Sequence, residues 1–368
     1  MKKILFITDT YYPDSGATTT IIKRTCEALA ALGYGVSVYP AEISGAHYDY
    51  PRSVNGVEIL KDLPGDYDYV FSCAVNFEVN FLAHDAINGR ACRWFPMSYD
   101  PYAFNPHISD EERAARYKRE MEALCDAEKI FFLTEFGDDY AGSEIEDKIE
   151  YFNLPCIRPI NPDREKKTVV FDDAYINCVF LGDFYTGVEN TDFIFRLFEK
   201  VMAAQEAKLA PSLANRPIRL YTIGGPGDYQ DTINIWKEKL GERYICLPRI
   251  SQEEAHNVIL DCDVLVSMGH DSANMCPSKA LDFASSGKPI LHICKIKNCC
   301  ANRYLERYPA KHSIYQGEAL AGDRVEAVRE FICSATDKEP IPFDTVLDLY
   351  NDFTLESLIE KIVRALEG

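Results

Sequence analysis

The stretch from Ser267 to Ile293, SMGHDSANMCPSKALDFASSGKPILHI, constrains the fold more than any other. The apolar run Cys262 to Ser267 leads into it and reads as a buried strand. A polar loop, Gly269 to Pro277, comes next. Proline suits the first turn of a helix, where a missing N–H costs nothing. Ser278 to Ser286 is then a helix, Gly287 its stop, and Pro289 to Ile293 the following strand. The free N–H groups and positive dipole end of such a helix attract an anion. Ser278 and Lys279 add a hydroxyl and an ammonium to that first turn. Asp282 lies one turn on, on about the same face, where a carboxylate can hold the two hydroxyls of a ribose. The bland alternative is a βαβ unit whose helix is merely capped.

The same unit opens the chain. Lys3 to Thr8 is an apolar strand, 9–17 a polar and aromatic loop with Gly16, Thr18 to Leu32 an amphipathic helix, and Val36 to Tyr39 a second strand. Strands are expected at Val57–Leu60, Tyr69–Ser72, Arg93–Met97 and Lys129–Thr134, with helices near Phe77–Asn88, Asp110–Cys125 and Phe136–Tyr140. This alternation is that of a doubly wound α/β sheet, whose ligand-binding loops follow the carboxyl ends of strands. By that rule Asp100 and His107, in the loop after the Arg93 strand, are acceptor-side candidates. Their other reading is an Asp-Pro turn and a residue ahead of a helix cap. Ile157 to Lys167, with proline and charge but no periodicity, reads as a linker. A second set of strands starts at Tyr175–Leu181 and continues at Ile218–Ile223 and Tyr244–Leu247. Gly loops follow the first two, at Gly182 and at Gly224-Gly-Pro-Gly227. Ser251 and Glu254 form a capping box. Asp344 to Leu366 ends as an amphipathic helix, with Leu355, Leu358, Ile359, Ile362, Val363 and Leu366 on one side.

Composition narrows the function. The 368 residues suffice for two domains. A net charge of −19 argues against nucleic acid and against plain electrostatic attachment to anionic lipid. No signal peptide or membrane-length apolar run is apparent, so a cytoplasmic protein is expected. The 13 cysteines are an odd number, and Cys73, Cys178, Cys246, Cys262 and Cys333 sit in apolar runs as reduced, buried thiols. Cys294, Cys299 and Cys300 cluster, but their spacing is not that of a zinc ribbon or finger, and no metal is expected.

Asp282-Phe-Ala-Ser-Ser-Gly-Lys-Pro289 resembles the donor motif of GT-B glycosyltransferases, most closely glycosyltransferase family 4. The resemblance runs in order through most of the chain. It implies a GT-B fold: two Rossmann-like, doubly wound parallel-sheet domains facing a central cleft. The N-terminal acceptor domain would span 1–160 and the donor domain 161–343. A C-terminal helix, 344–368, would cross back to the first domain. In this family a glutamate stands eight residues before the helix acid; here that position is Asn274. Ser15-Gly16 is similar to the family's first glycine loop, which borders the acceptor and the donor phosphate. The loop at Arg249 and Ile250 matches the one that flanks the base. At the Gly182 loop the chain departs from the pattern: Asp183 replaces a common Arg, and Glu189 precedes Asn190 where a Lys is common.

The implied activity is metal-independent, retaining hexosyl transfer from a nucleoside-diphosphate sugar to a glycan or glycoconjugate acceptor, in polysaccharide or cell-envelope synthesis. Donor binding falls to Gly182, Asp183, Gly224, Arg249, Ile250, Pro277, Ser278, Lys279 and Asp282. Asn274, Asp100 and His107 stand nearest the reaction. No cofactor is expected beyond the nucleotide-sugar substrate, and no nucleic acid. Peripheral association with a membrane that carries a lipid-linked acceptor stays open. In front-face transfer the departing phosphate takes the proton, and positive charge with a helix dipole stabilises it. Lys279 and Arg249 would supply the cations missing from the Gly182 loop. If they do not, a nucleotide- or glycan-binding module beside an active enzyme is the alternative. A nucleotide-sugar epimerase is the third reading.

Overall fold

Five of the six residues of Lys3–Thr8 are buried, as are all six of Tyr69–Ala74. Near-continuous apolar runs of this kind belong to parallel strands covered on both faces. The computed structural model describes residues 2–11, 16–45, 48–63, 65–74, 76–184, 191–208, 216–275 and 277–368. The chain divides into two compact units, Met1–Cys156 together with Asn351–Gly368, and Ile157–Tyr350.

In the first unit the strands are β1 (Lys3–Thr8), β2 (Gly35–Pro40), β3 (Ser53–Val54), β4 (Val57–Ile59), β5 (Tyr69–Ala74), β6 (Arg93–Ser98), β7 (Ile130–Leu133) and β8 (Ile149–Phe152). They form one sheet in the order β3-β4-β2-β1-β5-β6-β7-β8, parallel except for the β3–β4 hairpin. The second unit holds β9 (Ile176–Leu181), β10 (Ile218–Ile223), β11 (Tyr244–Leu247), β12 (Val264–Met268), β13 (Ile290–Cys294) and β14 (Lys311–Tyr315). Their order is β11-β10-β9-β12-β13-β14, and every pairing is parallel. Counted from β9 this is 3-2-1-4-5-6, the doubly wound order that reverses direction between its first and fourth strands. Among the described residues no helix is long and apolar enough to cross a membrane.

Local chemistry sets the helices. In Ala17–Ala31 the buried residues are Thr19, Ile21, Ile22, Thr25, Cys26 and Leu29, one stripe facing the sheet. Ser109 caps Asp110–Leu124, accepting from the Glu112 amide at 3.1 Å, with three acids in the first turn. The capping box at Ser251 and Glu254 is formed. Three expectations need correction. Asp344 to Leu366 is not one helix: Phe343–Leu349 stays with the second unit, Tyr350 ends it, and Leu355–Glu367 joins the first. Cys246 and Cys333 are half-buried rather than core thiols. The strand expected from Cys262 begins at Val264, because Cys262 is still bonded to the preceding helix through its N–H and the Val258 carbonyl. Within the expected linker, Arg164 and Lys167 both grip Asp261, each at 2.8 Å, so that part lies against the second unit.

Leu355–Glu367 packs on the first unit through Leu358, Ile362 and Leu366, one residue per turn. Its last carbonyls would be orphans. Arg93 satisfies two of them, donating to Leu366 at 3.1 Å and to Ala365 at 3.0 Å, and the Tyr69 hydroxyl donates to Leu366 at 3.2 Å. Elsewhere in this unit the Glu120 carboxyl is fully buried and accepts from the Tyr140 hydroxyl at 2.8 Å. Burial pushes it up to about 8, against the bonds from Tyr140 and the Ala103 amide, which favour the anion.

Two outcomes follow for stability. Arg93→Ala should cost about 2–3 kcal/mol, because it strands two part-buried helix-end carbonyls, whereas Lys361→Ala, which breaks a single part-buried pair with Glu150, should cost less, about 1 kcal/mol. Equal losses in urea unfolding would count against the helix-end role of Arg93. Glu120 binds its proton more tightly folded than unfolded, so stability falls as pH rises from about 4.5 to about 8. Glu120→Gln should flatten that slope, and unfolding curves of wild type and variant that stay parallel across this window would refute it.

Candidate functional site

The direction of the second sheet reverses between β9 and β12, so the loops leaving these strands diverge and open a crevice at their carboxyl ends. Gly182 follows β9 with φ of +151°, a conformation that side-chain-bearing residues rarely adopt. A Cβ on Gly182 would collide with the Lys279 Nζ, so the ammonium lies directly over this glycine. Gly224, after β10, has the same φ, and a Cβ there would collide with the Gly182 carbonyl. The two loops therefore touch backbone to backbone. Phe184 donates to the Gly225 carbonyl at 3.2 Å, Gly182 to Ile223 at 2.9 Å, and Gly224 to Leu247 at 3.1 Å.

Asp183 sits where these loops meet. One carboxylate oxygen accepts from the Gly225 amide and the other pairs with Arg249. Burial alone would raise its pKa, but the Gly225 bond, the Arg249 guanidinium and the Lys279 ammonium outweigh it and hold the carboxyl below the usual range. Arg249 is largely exposed, at 74%, so one side of its guanidinium faces solvent. Two cations from different loops, after β11 and at the start of Lys279–Ser285, thus gather on one acid.

A cavity of about 280 Å³ lies alongside, in the second unit. Its floor is strand: Phe180 and Leu181 of β9, Val266, Ser267 and Met268 of β12. Its rim is Asp183, His270, Pro277, Ser278 and Lys279, with Phe283 behind. The helix begins at Lys279, with Ser278 as its cap residue. The Ser278 carbonyl accepts from Leu281 at 3.0 Å and Asp282 at 3.1 Å, while its hydroxyl makes no cap bond. The loop before it is pinned from several sides. Lys295 pairs with Asp271 at 2.9 Å, Arg303 donates to the Ala273 carbonyl at 2.7 Å, and the Ser272 hydroxyl donates to Asn274 Oδ1 at 2.6 Å.

The structure thus brings together Asp183, Pro277, Ser278 and Lys279 at the cavity, with Gly182, Gly224 and Arg249 adjoining through Asp183. Asn274, Ile250 and Asp282 belong to the same unit but are not among the residues that line the cavity. In the first unit Asp100 follows β6, and burial pushes its carboxyl up. His107 is exposed, its amide bonded to Asn105 Oδ1 at 2.9 Å, two residues before the Ser109 cap. Gly16 caps Ala17–Ala31, its carbonyl accepting from Thr20 at 2.9 Å. Ser15, Glu189 and Asn190 lie outside the described residues. Sequence reasoning missed Phe180, Ser267, Met268 and Phe283 as lining residues, because they read as core, and passed over His270 within the polar loop; for Phe180, Ser267 and Met268 the place near strand ends beside the reversal was the available signal.

No protein-family model matches the chain, and no curated protein sequence does. Solved structures match it along its whole length. HepE from Anabaena, in complex with UDP, is 13% identical, with 100% of both chains covered and a TM-score of 0.64. The same protein is also known with UDP-glucose. AviGT4, a glycosyltransferase involved in avilamycin A biosynthesis, is 12% identical over 100% of this chain and 99% of its own, with a TM-score of 0.54. The UDP-GlcNAc 2-epimerase from Methanocaldococcus jannaschii is 12% identical over 100% and 99%, with a TM-score of 0.57. At such identities the likeness establishes the fold, and the fold is the GT-B α/β architecture that the sequence led us to expect.

Proposed function

We propose that the chain is a retaining, metal-independent glycosyltransferase of the family 4 kind, moving a hexose from a nucleoside-diphosphate donor to a glycan or glycoconjugate acceptor in the cytoplasm, in polysaccharide or cell-envelope synthesis. The observation that carries this reading is the convergence of Lys279 and Arg249 on Asp183 at the strand-order reversal, beside a cavity edged by Ser278 and Pro277. A leaving diphosphate needs positive charge already in place. Lys279 offers a point charge over a bare glycine backbone, and Arg249 offers the solvent-facing edge of its guanidinium. Asp183 acts as a positioning residue: it holds Arg249 toward the same spot as Lys279. Ser278 and Asp282 would bind phosphate and ribose, Ile250 would flank the base, and Asn274 would meet sugar hydroxyls. The departing phosphate takes the acceptor proton, so no protein base is required. The acceptor falls to the first unit, with Asp100 and His107 at its loop and Ser15-Gly16 at its first strand. UDP is the donor base of choice, since HepE binds UDP and UDP-glucose.

One observation favours a second reading, a nucleotide- or glycan-binding module that does not turn over. Asp183 neutralises one of the two cations it gathers, leaving less net positive charge than an Arg in its place would give.

Titration calorimetry with UDP, GDP, ADP and TDP, with and without magnesium, tests the donor site. UDP should bind without metal. Lys279→Ala should weaken it by about 10- to 100-fold, Lys288→Ala by less than about 3-fold. Gly182→Ala should weaken UDP less than Lys279→Ala, because the added methyl displaces the ammonium but leaves it on a flexible stem. Equal effects of Lys279→Ala and Lys288→Ala would remove the phosphate assignment. Sugar transfer from UDP-hexose separates enzyme from binding module: binding with no turnover on any acceptor supports the second reading.

A further inference from the structure

A second cluster in the same unit has chemistry that the donor site does not use. His292 and Cys294 stand two residues apart on β13 and so point to one face, and Cys299 precedes the short helix Cys300–Tyr304. All three are buried, and the His nitrogen and both sulfurs lie within 4.8 Å of one another. His292 Nε2 is 3.6 Å from Cys299 Sγ. A tetrahedral zinc ion, with Zn–S of about 2.3 Å and Zn–N of about 2.0 Å, holds N and S ligands roughly 3.6 Å apart. The far ring nitrogen, Nδ1, lies 3.2 Å from the Ser267 hydroxyl, on the residue paired with His292 across β12 and β13. Ligating histidines have such a partner, which fixes the ring and leaves Nε2 for the ion. Gly269 completes the cradle: a Cβ there would stand 2.8 Å from Cys299 Sγ and 3.2 Å from His292 Nε2, so only glycine leaves that space open.

We propose that His292 Nε2, Cys294 Sγ and Cys299 Sγ bind one soft divalent cation of the zinc type, tying the ends of β12 and β13 to the loop that starts at Gly269. Two thiolates and a neutral imidazole favour such an ion over magnesium or calcium, which prefer oxygen. Binding releases the thiol protons still present, and the ion gains a fourth position for water. Its role is structural. It fixes the base of the loop 269–277, whose far end presents Pro277 and Ser278 to the cavity. The proposal stands whether or not the chain transfers sugar.

The test uses the full chain, stripped of metal under reducing conditions and titrated with Co2+. One equivalent should give the thiolate-to-cobalt and visible bands of a tetrahedral site, which Zn2+ then displaces, and zinc should raise the unfolding temperature. Cys299→Ser and His292→Gln should lose the stoichiometric ion, with affinity down by about 100-fold or more, while Lys279→Ala keeps it. Should either variant fail to fold, the wild-type stoichiometry decides: one Co2+ per chain should bind, and a chelator should remove it together with the thiolate-to-cobalt bands. No tetrahedral spectrum, a spectrum that survives in Cys299→Ser, Co2+ bound well short of one equivalent, or a Cys294–Cys299 disulfide in protein isolated without reductant each overturns the proposal.

Discussion

The second unit depends on a close approach of bare backbone. At Gly182 and Gly224 the chain takes a conformation that disfavours side chains, in a space that excludes them. Because the loops after β9 and β10 approach main chain to main chain at these glycines, the Gly225 amide reaches the Asp183 carboxylate and the Lys279 ammonium settles over Gly182. A methyl group on Gly182 would meet the Lys279 ammonium, and one on Gly224 would meet the Gly182 carbonyl and the Asp183 amide. The apolar strands beneath supply rigidity, and the polar atoms above are arranged by what the glycines leave out.

Asp183 departs from the pattern that the family resemblance implies at this loop. A carboxylate replaces the cation expected in the first loop of this unit, so it cannot meet a phosphate directly. It instead orients an arginine from another loop and lies beside a lysine from a third. Positive charge is thereby moved by one loop. The cost is electrostatic, since the acid cancels part of the charge it organises; the gain is a guanidinium held with one face to solvent despite its long, flexible stem.

How much of this was legible depends on where the information lies. Strands with apolar runs closed by Asp, Gly or Pro were readable: Lys3–Thr8, Ile218–Ile223 and Tyr244–Leu247 have the ends the pattern gave them. Two of the edge strands, β8 and β14, were not. β8 and β14 are half-buried and mix polar with apolar residues, so they lack both the buried run and clean alternation. The break between Leu349 and Leu355 was hidden because Phe343 and Leu355 both begin apolar helical patterns. In the site, Ser278 and Lys279 were legible from a proline and a helix start. The tie between Asp183 and Arg249 joins residues 66 apart in sequence, and no local pattern encodes it.

The cysteine cluster carries the same lesson further. Read by spacing, Cys294, Cys299 and Cys300 match no metal motif, since sequence spacing captures ligands only when they share a turn or a hairpin. The histidine that makes the set sits inside an apolar strand, where it reads as core. The glycine that clears its front belongs to a different loop, at the carboxyl end of a neighbouring strand. Parallel strands make this arrangement natural: their carboxyl ends lie side by side, so residues far apart in the chain meet at one rim. The rim that presents Lys279 and Ser278 on one side presents His292, Cys294 and Cys299 on another, and the loop from Gly269 to Pro277 runs from the second set to the first. Anything that stiffens the cluster therefore stiffens the start of the loop whose end frames the cavity.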